Sequence, residues 1–172
     1  ADANSGAAKK GTYLGLVEKG QTGGIEHIKE MGFNAVQILP VQDFANVEMP
    51  YLDTSTNTYN TWNPYARNHW GYMTPFFFAP ETYYGSAGTM EPGAWNGVDG
   101  SAINELKEMV QKFHNEDISV IMDVVYNHVS NYDYQPLKFI DKDLYFRMNE
   151  SGNYIADFNY AQGEAPEPGS QF

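Results

Sequence analysis

The stretch Ile118-Ser119-Val120-Ile121-Met122-Asp123-Val124-Val125-Tyr126-Asn127-His128 decides the fold. Its β-branched and apolar residues occupy both alternating faces, which fits a parallel strand covered by helices rather than a half-solvated one. In sheets of that kind, ligands lie beyond the carboxyl ends of the strands, and Asn127 and His128 stand at that end.

Working outward, the residues just before this strand carry Ile103, Leu106, Val110 and Phe113 at intervals of three or four. That spacing predicts an amphipathic helix over 101–114, capped by Asp99 or Ser101. Earlier still, Ile25, Ile28 and Met31 follow helical spacing and Gly32 supplies a left-handed stop. Ala35-Val36-Gln37-Ile38-Leu39, closed by Pro40, then reads as a second buried strand. The strands near 34–39 and 118–125 are predicted to be parallel and adjacent, with helix 101–114 making the crossover. Residues 1–12 read as a linker or frayed end, and residues 12–17 as a short extended piece.

Between the first strand and helix 101–114 lies an excursion over residues 44–100, far longer than an ordinary loop. It holds 13 of the 26 aromatic residues, half of them in a third of the chain. Flat apolar faces with polar tips suit the C–H-rich faces of sugar rings, and the accompanying Asn, Thr and Tyr offer neutral hydrogen bonds to hydroxyls. A neutral polyol is the expected ligand. The competing reading is that the rings build a mini-core for a loop with no sheet of its own. It is weakest at Trp70-Gly71-Tyr72, where a glycine lets backbone and rings approach a partner.

Composition narrows the field. A net charge of -12, from 22 acidic against 10 basic residues, argues against nucleic acid and an anionic membrane surface, since counterion release needs clustered Lys and Arg. No apolar run approaches the ~20 residues that span a bilayer. The absence of Cys removes thiolate chemistry and disulfides, yet suits either redox compartment. With no Gly-x-Gly-x-x-Gly after a strand, a generic doubly wound nucleotide-binding domain is disfavoured.

Strand parity places Asp123 on one face with Ile121 and Val125, where it is expected to be buried and held by hydrogen bonds or a cation. It either fixes a polar network inside the sheet or serves a site. His128 and Asn127, at the strand's exit, are better placed for a ligand, although a lone His is often structural.

Residues 123–129, Asp-Val-Val-Tyr-Asn-His-Val, resemble the first conserved region of the α-amylase family of glycoside hydrolases, at the end of the third barrel strand. Asn68-His69-Trp70-Gly71-Tyr72-Met73 and Phe78-Ala79-Pro80-Glu81 resemble the loop after the second strand, and residues 24–44 its first helix and second strand. The Trp-Gly-Tyr form is similar to that of the debranching members, pullulanases and isoamylases. The resemblance implies a partial (β/α)8 TIM barrel from about the first helix to the third strand. Residues 13–128 would form that part, and 129–172 the start of the loop domain after strand 3 and a flexible tail.

The resemblance further implies an enzyme acting on α-glucan, namely starch, glycogen or pullulan. Tyr72 would stack on the sugar at the cleavage subsite beside Trp70, His128 would donate to that sugar's hydroxymethyl group, and Asp123 would organise the site. Asn127 is similar to a position that binds calcium in many members, with Asp133, Asp141, Asp143 and Asp157 as unspecific further oxygen donors. The catalytic carboxylates of the family belong to its fourth, fifth and seventh strands, so none is expected among these residues. The remaining barrel would come as a second chain or as further sequence. A polymeric substrate favours an extracellular or cell-surface setting. The alternative is a noncatalytic carbohydrate-binding or interaction module that uses the aromatic loop alone.

Overall fold

The computed structural model describes residues 6–44, 70–72, 74, 76–88, 99–126 and 137–152. The chain divides into two compact units, Ala1–Val41 with Ala79–Asp123, and Gln42–Phe78 with Val124–Phe172.

The first unit begins with a single helical turn, α1 (Tyr13–Leu16), where the sequence suggested extended backbone. Thr12 decides the matter, because its hydroxyl caps the turn by accepting the Gly15 N–H at 3.1 Å. Residues before it are tied down: Ala7 is buried, and the Ala8 and Lys9 amides donate to the Glu18 carboxylate. Helix α2 (Ile25–Glu30) ends as the sequence predicts, with Gly32 at φ 77°. The Phe33 N–H reaches Ile28 O and the Gly32 N–H reaches Lys29 O, the paired bonds of a left-handed helix stop.

Strand β1 (Ala35–Ile38) follows. After it the chain forms β2 (Gln42–Asp43) and β3 (Phe76–Pro80), which pair in a two-stranded sheet of their own, and a 3-10 turn over Thr82–Tyr84. Helix α3 (Ser101–His114) and strand β4 (Ser119–Met122) complete the predicted unit. β4 lies parallel to β1 in the register Ala35↔Ser119 to Ile38↔Met122, and the Ser119 and Asp123 amides extend the ladder to Asn34 O and Ile38 O.

Helix α3 starts after Gly100, and Asp99 rather than Ser101 supplies the carboxylate, accepting the Ser101 N–H at 2.9 Å. That bond holds the Asp99 carboxyl below the usual carboxylate range. The apolar stripe is shifted from the predicted one. Ala102, Met109 and Phe113 are buried with Leu106 and Val110 packed beside them, while Ile103 faces solvent. The 102-106-109-113 row faces Tyr13, Val17, Ile25, Val41 and Ile118, which form one core with Val36, Ile38 and Val120 of the sheet. The other face of the two strands is open: Gln37, Leu39 and Ile121 are exposed.

An ion cluster joins α2 to the turn after α3, where Lys29 pairs closely with Glu116 and Lys19 lies 3.8 Å from the same carboxylate. The Lys29 hydrogen bond lowers the Glu116 pKa from 4.5, and the same bond raises that of Lys29 from 10.5. A depressed carboxylate contributes stability above its unfolded pKa and loses it as pH falls through the folded one. The raised ammonium contributes below its unfolded pKa and loses it above the folded one. Glu116→Gln is therefore expected to lower the melting temperature slightly at neutral pH, the difference from wild type vanishing in acid below the folded Glu116 pKa. A pH-invariant difference would show that the pair does not contribute through its charge.

The second unit centres on Phe146, packed against Phe77, Leu137, Tyr145 and Met148. Phe77 also lies 5.2 Å, centroid to centroid, from the Tyr126 ring. Helix α4 (Lys138–Tyr145) is kinked at Asp141, whose backbone is extended and whose carboxylate caps the following turn through the Asp143 and Leu144 amides.

Candidate functional site

β3 lies within the excursion, and just ahead of it in sequence stand Trp70, Gly71 and Tyr72. Gly71 is buried with φ 75°, a conformation that a Cβ would strain. Trp70 is 67% exposed and Tyr72 partly so.

Asp123 follows β4 directly. The sequence placed it in a buried position, but it is partly exposed, because the strand face it shares with Ile121 is open. Sequence parity had the face right. It missed Gln37, whose side-chain amide lies 3.5 Å from Asp123 Oδ2 across the parallel pair. The signal was present, since Gln37 is the one polar residue inside Val36-Gln37-Ile38 and registers with Ile121, two residues from Asp123. Directional donors of this kind fix a carboxylate's rotamer.

Asn127 and His128 lie outside the described residues, as do Asp133, Asp157 and the excursion's Trp62 and Trp95. Among the described residues, no group of three or more His, Asp or Glu side chains is arranged to hold a metal ion. Asp141 is engaged in capping and Asp143 pairs with Lys142 at 3.0 Å. No helix among the described residues is long and apolar enough to cross a membrane.

The parallel β-α-β unit makes the chain an α/β protein, a class in which ligands commonly lie at the strand ends. Its relatives sharpen this. The chain is 36% identical over 160 residues to the chloroplastic isoamylase 3 of Oryza sativa subsp. japonica, covering 89% of this chain and 18% of that relative. It is 35% identical over 156 residues to the pullulanase of Bacillus subtilis strain 168, covering 87% and 19%. A crystal structure of the pullulanase of Anoxybacillus sp. LM18-11 complexed with maltotriose superposes with a TM-score of 0.67 at 31% identity, covering 99% of this chain and 21% of that one. No protein-family model matches. The homologues of this chain are thus isoamylases and pullulanases, debranching glycoside hydrolases of the α-amylase family, and the chain corresponds to a portion of such an enzyme. It spans about a fifth of the length of these relatives.

Proposed function

We propose that the chain supplies the substrate-binding wall of an α-glucan debranching hydrolase, with the catalytic carboxylates on other parts of the same enzyme. The observation that carries this reading is the Trp70-Gly71-Tyr72 segment, with Trp70 exposed and Tyr72 partly so, in a chain whose homologues over nearly its whole length are isoamylases and pullulanases. Tyr72 stacks on the sugar at the cleavage subsite with Trp70 beside it, Asp123 organises the polar groups at the strand end, and His128 donates to the sugar's hydroxymethyl group. Retaining glycoside cleavage needs a nucleophile and an acid about 5–5.5 Å apart, and no acidic residue here matches either in the family pattern.

In this reading β1, α3 and β4 are the second strand, second helix and third strand of a (β/α)8 barrel. Residues 13–128 form that part, and 129–172 open the loop domain after the third strand. Two features support it. The sheet face opposite α3 leaves Ile121 and Leu39 half exposed, as residues meant for a barrel interior would be before closure. A cleft of about 460 Å³ beside α3, with Ile38, Leu106, Val110 and Met122 for its apolar floor and Lys107, Gln111 and His114 at its edge, suits the packing of a further helix of the ring. Calcium at Asn127 belongs to the same reading. The described residues do not make up a donor set for it by themselves.

The test is the product pattern of the intact enzyme. It is expected to release maltotriose from pullulan, the product of cutting its α-1,6 links. An intact protein that binds maltotriose but yields no reducing ends from pullulan, glycogen or starch would establish the noncatalytic carbohydrate-binding module instead.

A further inference from the structure

Among the described residues, three polar or charged side chains are buried, namely Gln42 at 3%, Thr74 at 4% and Glu81 at 0% exposure. Gln42 stands just before the excursion that carries Trp70-Gly71-Tyr72, and Thr74 and Glu81 lie within it, one on either side of β3. Burying a polar group is unfavourable unless its hydrogen bonds are made, so each of them calls for a reason other than packing.

The bonds they make give that reason. The Gln42 side-chain amide donates to Phe77 O at 2.7 Å, crossing from β2 to β3. The Thr74 hydroxyl donates to Asp43 O and accepts the Phe76 N–H at 3.1 Å, so one side chain grips both strands at once. In the first unit, the Glu81 N–H donates to Val41 O at 2.7 Å, the Tyr13 hydroxyl donates to Glu81 O at 2.7 Å, and the Glu81 carboxylate accepts the Tyr83 N–H.

We propose that Gln42 and Thr74 are positioning residues for the sugar-stacking ring of Tyr72. Thr74 stands two residues beyond Tyr72, and its hydroxyl fixes the register of this segment against β2. A two-residue strand such as β2 specifies register poorly through its backbone alone. A slip by one residue would exchange the two faces of β3, and the directional side-chain bonds exclude it. An apolar side chain of equal volume would fill the same space without selecting the register.

This inference rests on the substrate-wall reading above, and the experiment separates the two. In the intact enzyme, Thr74→Val removes the hydroxyl at constant volume. It is expected to raise KM for pullulan by about three- to tenfold with kcat within about twofold of wild type, the size that follows from losing one buried hydrogen bond. Thr74→Ser, which keeps the hydroxyl, is expected to restore KM, and Gln42→Leu to repeat the Thr74→Val pattern through an independent bond. A merely structural role would lower the melting temperature of Thr74→Val while leaving KM at the wild-type value, and that result overturns the proposal. So does a KM that Thr74→Ser fails to restore. Tyr72→Ala, assayed alongside, decides what has failed. If Tyr72→Ala raises KM and Thr74→Val does not, only the positioning role falls; if Tyr72→Ala also leaves KM unchanged, the substrate wall falls with it.

Discussion

On pullulan and on starch, the isolated 172-residue chain is expected to release reducing sugar no faster than buffer, whatever its concentration. The expectation follows from chemistry rather than from stability. Breaking a glycosidic bond with retention requires a carboxylate to attack the anomeric carbon and a second carboxyl to protonate the leaving oxygen, about 5–5.5 Å away. The chain offers 22 acidic residues. Several with a described setting are engaged elsewhere: Glu81 caps a turn in the core, Glu116 pairs with Lys29, and Asp141 caps the second half of α4. Asp123, the acid best placed at a strand end, has the Gln37 side-chain amide 3.5 Å from its Oδ2. A binding wall without that pair loses the whole chemical acceleration, a factor of about 10⁶ or more for an ordinary enzyme. Turnover by the purified, mass-verified chain would show that the nucleophile and the acid lie within it.

Phe113→Ala is expected to have the largest effect on stability of any single change in the first unit. Phe113 is the hub of its core, with no exposure, and its carbonyl also accepts the amides of Glu116 and Ile118 that turn α3 into β4. Truncating a fully buried Phe costs about 3–5 kcal/mol through lost transfer energy and the cavity left behind. Met109, equally buried on the row before it, cannot fill the space without leaving its own. The loss is read as a shift of the urea midpoint in the intact enzyme, with Phe113→Leu expected to retain most of the stability. An unshifted midpoint would mean that this core does not limit the stability of the enzyme.

The β1-α3-β4 unit was legible in the sequence because its residues obey one period at a time. Val36 and Ile38 alternate, the α3 apolar residues recur every three or four, and Gly32 marks a helix stop. Periodicity located α3 but not its rotation, since Ile103 and Ala102 are both apolar and only packing chooses between them. β3 was missed because Phe76-Phe77-Phe78 shows no alternation, so its inward Phe77 is distinguished only by Phe146 and Tyr126, far away in sequence. α4 leaves Phe139, Ile140 and Leu144 exposed and is broken at Asp141, so its apolar residues do not mark a side facing this chain's own core. α1 is four residues long, less than the window over which a helical period is visible.

At the site, residue types spoke more clearly than positions. The Trp-Gly-Tyr turn announced itself by composition, and its glycine does adopt the left-handed conformation. The polar anchors Gln42 and Thr74 did not, because a Gln and a Thr in a polar loop look like solvated surface until their partners Phe77 and Asp43 are known. The same holds for Gln37, whose relation to Asp123 needs the register of two strands that lie far apart in the chain.

The central claim is that Tyr72 belongs to a sugar-binding wall, and the most direct measurement is kcat/KM on pullulan for the intact enzyme and its Tyr72→Ala variant, with matched melting curves. Losing a stacked ring of this kind is worth about 1–3 kcal/mol, so the account predicts a fall of roughly 5- to 150-fold at an almost unchanged melting temperature. An unchanged kcat/KM accompanied by a lower melting temperature would contradict it, and would make Tyr72 part of the loop's own core.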